Sequence, residues 1–199
     1  DEEIIVPAGA FTAYVSHGPE HEVFRADIDI VAGGRSELEA QVARVVDRTG
    51  WMSADLHVHG SKSVDANATR RDRVLGAIAE GLDLLLATDH DVVSDYRPTI
   101  DALGLGAMLQ TASGIEVSPP YGHFNAYPLS AEQPERYWGV QWFKYKDHVF
   151  ERMLEPIEIV GELRQRGAEI VQINHPRSSA GVFNRLGLDP VRGTTTLEW

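Results

Sequence analysis

The chain has 199 residues, 43% of them hydrophobic and 24% charged, with a formal net charge of −12; that is enough to bury a sizeable core as one domain with a small appendage. The acidic balance and the lack of a basic run argue against nucleic-acid binding, which relies on Lys and Arg meeting phosphates. No apolar stretch reaches the ~18 residues of a membrane helix, and the absence of cysteine leaves only His, Asp and Glu to hold any metal.

Residues 1–50 read as a β-strand appendage, or the tail of a β domain, and 51–199 as the main domain. The chain opens at Asp1 without a methionine, as a mature or excised piece would. Alternation predicts strands over 11–16 and 22–31, the second with Phe24, Ala26, Ile28 and Ile30 on one face and Arg25, Asp27 and Asp29 on the other. Gly18-Pro19 marks the turn between them. Over 36–46, Leu38, Ala40 and Val42 alternate and predict a strand, although Leu38, Val42 and Val45 also fit a helix.

From residue 51 the pattern becomes alternating strand and helix. A strand over 53–59 leads to a helix over 69–81, with Thr69 as N-cap and Val74, Ala77 and Ile78 inward. The apolar run 82–90 reads as a parallel strand buried on both faces. A short helix over 94–104 follows, then a strand over 108–118 bent at Gly114 and a fourth strand over 122–130. "EPIEIVGELRQRG" (155–167) predicts a helix with Pro156 in its first turn and Ile157, Val160 and Leu163 inward. A fifth strand spans 168–176. Between the fourth strand and that helix, the aromatic stretch 137–150 either lines a pocket as a lid or packs against the body of the protein or another subunit.

Metal-capable residues gather at the ends of these runs. "DLHVHG" (55–60) puts Asp55, His57 and His59 on one strand face. Asp65 follows in the loop, Asp89-His90-Asp91 ends the second strand, Glu116 lies near the end of the third, His123 opens the fourth and Asn174-His175 ends the fifth. Ligand-type residues at the C-terminal ends of successive strands are what a parallel α/β barrel uses to build an active site. Each has a plainer reading alone: Asp89 as a helix N-cap, His123 as a turn residue beside Gly122, His175 as a corner before Pro176. Glu116 sits among apolar neighbours and needs a partner for its charge. His17, His21 and His148 fall outside every strand end and read as ordinary surface histidines.

The motifs "DLHVHGSKSVD", "LLLATDHD", "GIEVS…GHFNAYPL" and "INHPR" together resemble the PHP (polymerase and histidinol phosphatase) superfamily over about 51–190, and within it the CehA/McbA-type metallohydrolase branch. The resemblance implies a distorted (β/α)7 TIM-like barrel holding two or three divalent ions, with ligands at His57, His59, Asp65, His90, Glu116, His123 and His175. It also implies a β-sandwich before the barrel. Such barrels add a late Asp-x-His pair; none follows His175 here, so the barrel is expected to be truncated at its C-terminus or completed by a second copy or polypeptide.

Nitrogen and oxygen donors without sulfur suit Zn, Mn or Fe(II). A water shared by two ions bridged through Glu116 would be acidified and attack a phosphorus or carbonyl centre. Glu116 and Asp89 are the expected catalytic groups, Asp89 orienting an imidazole or moving a proton. Lys62 and Arg177 flank ligand positions and either hold an anionic small-molecule substrate or are solvated charges. The expected activity is a metal-dependent phosphoesterase. The narrower branch suggests ester, amide or carbamate cleavage, and a metal-stabilised binding module is the non-catalytic alternative.

Overall fold

The computed structural model describes residues 3–130, 140–179 and 181–196. Strand β1 (Gly9–Val15) pairs antiparallel with β2 (Phe24–Ile30), from Gly9 opposite Ile30 to Val15 opposite Phe24. The alternation of β2 appears as half-buried Phe24, Ala26, Ile28 and Ile30 against exposed Arg25, Asp27 and Asp29. The strand expected over 36–46 does not form. That stretch makes one isolated bridge, Arg44 to His21, flanked by Glu22 N–H donating to the Ala43 carbonyl and Val45 N–H donating to the Glu20 carbonyl, and it leaves Leu38, Val45 and Val46 exposed. Alternation alone does not make a strand where pairing with a neighbour stops after so few hydrogen bonds.

Strand β3 (Ala54–Val58) runs parallel to β4 (Leu84–Ala87), with an irregularity between Asp55 and Val58, and β4 runs parallel to β5 (Gln110–Ser113). Helix α1 (Arg70–Ala79) crosses between β3 and β4, and α2 (Arg97–Ala102) between β4 and β5. Thr69 and Asp72 form a reciprocal capping box at the start of α1. Thr69→Ala removes the cap and is expected to destabilise the protein by about 1 kcal/mol in a denaturant titration. Val58, Val74, Ala77, Leu85, Ala87, Tyr96, Ile100 and Leu109 form the core between this sheet and its helices.

The third predicted strand is two. At Gly114 the chain leaves the parallel sheet, and β6 (Ile115–Val117) pairs antiparallel with β7 (Phe124–Tyr127), which pairs antiparallel with β10 (Ile170–Ile173). A Cβ on Gly114 would lie 2.8 Å from the Ala126 carbonyl and 2.9 Å from that of Ala87, so only glycine fits where the two sheets meet. The described residues therefore form two three-stranded sheets, β3-β4-β5 and β10-β7-β6, in a mixed α/β fold. No closed barrel is present among them, and the second sheet corrects the expectation of parallel strands throughout.

Strands β8 (Phe143–Lys146) and β9 (Val149–Met153) make an exposed hairpin. Its turn residues Asp147 and His148 both have positive φ, the geometry of a two-residue primed turn. Trp142, just before it, packs on the core of the second sheet; Tyr137, Trp138 and Gly139 of the aromatic stretch lie outside the described residues. Helix α3 (Pro156–Gln165) buries Ile159 and Leu163, one turn apart, while Ile157, expected inward, is exposed. A five-residue helix α4 (Val182–Leu186) follows β10, with no counterpart in the sequence reading. His17 and His21 are partly exposed and make contacts beyond those of ordinary surface histidines. Their half-buried rings meet edge to face with centroids 4.5 Å apart, and His17 Nδ1 lies 2.9 Å from the Ala79 carbonyl at the end of α1. His148 is exposed, as expected.

Candidate metal centre

Glu116, on β6, is completely buried. Its backbone is clamped by the segment that extends β4: Glu116 N–H donates to the Asp89 carbonyl and Asp91 N–H donates to the Glu116 carbonyl. His90 is thereby placed directly beside it. Oε2 of Glu116 lies 3.1 Å from His57 Nε2, 3.0 Å from His59 Nε2 and 3.2 Å from His90 Nδ1. Oε1 lies 3.1 Å from His123 Nδ1, 3.3 Å from His175 Nε2 and 2.8 Å from Asn174 Nδ2. Five imidazoles and one amide from the ends of four strands, β3, β4, β7 and β10, converge on one carboxylate.

Asp65 stands at the mouth of this cluster with its side chain 53% exposed. Its Oδ1 is 3.1 Å from His59 Nδ1 and 2.7 Å from Ser63 Oγ, and its Oδ2 is 3.4 Å from His90 Nε2. Three groups result, each with ligand atoms within 4.8 Å of one another: His57, His59 and Glu116; His59, Asp65 and His90; His90, Glu116 and His123.

These groups fit divalent cations better than they fit each other. A carboxylate has about four lone-pair sites, yet six nitrogens crowd Glu116. The N···O separations of 3.0–3.3 Å match the ligand–ligand edges, roughly 3.0–3.5 Å, of a tetrahedral or octahedral centre with bonds of about 2.0–2.2 Å. Burial would raise the Glu116 carboxyl, but hydrogen bonds from His123, His57, His59 and Asn174 outweigh it and hold the pKa well below the ordinary carboxylate range. The group is an anion at neutral pH. The hydrogen bond to Glu116 raises the pKa of His59, against its burial, whereas burial lowers that of His90.

The remaining predicted residues have other surroundings. Asp89 is buried; its Oδ1 accepts from Gly60 N–H at 2.6 Å and its Oδ2 accepts from the Ser94 hydroxyl. It fixes the turn that carries the chain from His59 to Asp65, rather than an imidazole. Lys62 is exposed in that turn, and Arg177 is exposed beyond His175.

Several residues around the centre were not singled out in the sequence. Ser118 Oγ lies 2.5 Å from His90 Nδ1, and Ser63 Oγ joins His59, Asp65 and the backbone N–H of His90. Asn174 donates to both Glu116 and Asn125, and Asn125 donates to the Leu56 carbonyl on β3. Asn174 and His175 are adjacent, and neighbours on a regular strand face opposite ways. Both reach Glu116 because the backbone turns at His175, which has φ +26°, a strained conformation for a residue before proline.

The fold is mixed α/β, and the site is a histidine–carboxylate centre able to hold divalent metal ions. No family model and no curated protein matches the chain. Among solved structures it is similar to a two-domain protein from Bacteroides vulgatus that contains a predicted PHP-like metal-dependent phosphoesterase. The two are 26% identical, with a TM-score of 0.47 over 84% of this chain and 44% of the other. The chain thus spans less than half the length of that protein.

Proposed function

We propose that the chain carries the metal centre of a PHP-type hydrolase that cleaves phosphate esters, of the kind found in the CehA/McbA-type branch. The convergence of five histidines on buried Glu116 carries this reading, supported by the motifs from "DLHVHG" to "INHPR". His57, His59, His90, His123 and His175, with Glu116 and Asp65, would hold two or three ions such as Zn, Mn or Fe(II). Bound there, divalent ions would supply Lewis acidity and an acidified water at neutral pH.

The chain's own residues do the rest. Glu116 stays ionised and offers one oxygen to each half of the histidine set. Asp89 holds the Gly60 turn, keeping His59 and Asp65 on one side of the centre. Asp65 and His175 border its open side, from which an anionic substrate would enter, with Lys62 and Arg177 on the rim.

Metal-free protein titrated with Zn, Mn or Fe(II) and assayed with p-nitrophenyl phosphate tests the proposal; p-nitrophenyl acetate alongside tests ester cleavage. Hydrolysis that His57→Ala abolishes, with the circular dichroism spectrum unchanged, supports it. Stoichiometric metal uptake without turnover of either ester overturns it in favour of a metal-stabilised module.

Metal binding also sets a pH dependence. A cation must displace the proton of each imidazole it binds. The raised pKa of His59 means that its proton is held to higher pH than in a free histidine, about 6.5. Affinity measured by calorimetry is therefore expected to fall as pH drops through the histidine range, and the raised pKa of His59 extends that fall to higher pH.

A further inference from the structure

We infer that Lys62, Arg70 and Arg73 form an anion subsite on the rim of the metal centre, so that the preferred substrate carries a second anionic group besides the one that reacts. This rests on the hydrolase reading and narrows its substrate class.

The placement follows from contacts on both sides of the turn over 60–63, closed by a Ser63 N–H to Gly60 carbonyl bond. On one side Ser63 Oγ touches His59, Asp65 and the His90 backbone, so the turn abuts the centre. On the other side the start of α1 packs against it: Arg73 Nε donates to the His59 carbonyl at 2.7 Å, and the Ala68 carbonyl lies 3.9 Å from where a Cβ on Gly60 would stand. Arg70 is three residues before Arg73 and shares its helix face, so the face anchored on His59 also carries Arg70 to the rim. Lys62 projects from the exposed tip of the turn between them.

The charges here are unbalanced in a chain whose net charge is −12. Two nearby carboxylates act on Arg73 and Lys62 through space but hydrogen-bond elsewhere. Asp72 is taken up in the capping box with Thr69, and Asp89 is buried on Gly60 and Ser94. Among the described residues, no ion pair closes on Lys62, Arg70 or Arg73. Partial desolvation and the Arg70 charge disfavour the ammonium of Lys62, against the opposing pull of the Asp89 carboxylate, so the Lys62 and Arg70 charges lie close enough to act on each other. A Lys and two Arg beside a centre that takes one anionic group would receive another through charge-assisted hydrogen bonds.

The test uses the metal-loaded protein and two inert probes, propylphosphonate and propane-1,3-diphosphonate, by calorimetry with bound metal monitored. The diphosphonate is expected to bind at least about tenfold more tightly, by one or two added charge-assisted hydrogen bonds. Arg70→Gln is expected to cut that preference to roughly threefold or less, and Arg70→Lys, which keeps the charge, to restore most of it. No preference in the native protein, an undiminished preference in Arg70→Gln, or an equal loss in both variants would overturn the subsite. A Lys62→Gln variant that keeps the full preference would remove Lys62 from it. Because binding is read without turnover, a protein that shows the preference but hydrolyses no aryl phosphate keeps the subsite and loses the hydrolase reading instead.

Discussion

Glu116→Gln is expected to abolish turnover, by on the order of 10³-fold, and to lower the number of metal ions retained after dialysis. The factor reflects the several kcal/mol that metal polarisation contributes to such reactions. Glutamine has nearly the same shape, so the loss would come from charge and hydrogen-bond polarity. Its amide group would turn donors toward nitrogens that now face an acceptor, on one side or the other of a carboxylate contacted by six groups. Metal content by atomic emission, read beside the rate, decides the matter. Full metal retention with a native rate would show that Glu116 is not the link between the two halves of the centre.

Gly114→Ala is expected to have the largest effect on stability away from the centre. A methyl group there would meet two backbone carbonyls, those of Ala126 and Ala87, at under 3 Å, and neither belongs to a flexible side chain. Overpacking of this kind destabilises by about 1–3 kcal/mol. Each kcal/mol lowers Tm by about 2–4 °C in a chain of this size. Because β6 starts at the next residue, the substitution should also shift Glu116, so bound metal is expected to fall together with Tm in thermal melts. A variant with native Tm would show that the sheets do not meet as closely as drawn.

Much of the centre was legible because its residues lie where strands end. His57-x-His59 reads from period-two alternation, and His90, Glu116, His123 and His175 are polar interruptions of apolar runs. Asn174 was legible as part of a strand end, but its contact with Glu116 alongside His175 was not. Alternation assigns it to the face opposite His175, and only the positive φ at His175 brings the two together. The antiparallel second sheet carried a signal that went unused: six residues separate β6 from β7, while a parallel crossover needs a dozen or more.

Gly114 read as a bend because β5 and β6 form one continuous run, and sequence does not show that the pairing partner changes within it. Ile157 is exposed because it lies two residues, about 200° around the helix, from Ile159; the buried pair is Ile159 and Leu163, one turn apart. His17 and His21 carried no periodic signal, since their contact depends on the turn between β1 and β2 resting against the end of α1.

Glu116 stands 59 positions from His57 and 59 from His175. Two loops of equal length therefore close at opposite oxygens of one carboxylate. Each closure has an entropic cost on the order of 4 kcal/mol, which no local propensity offsets. Loops this long are slow to close, and in the unfolded chain the histidines lie too far apart to offer an ion a preformed pocket.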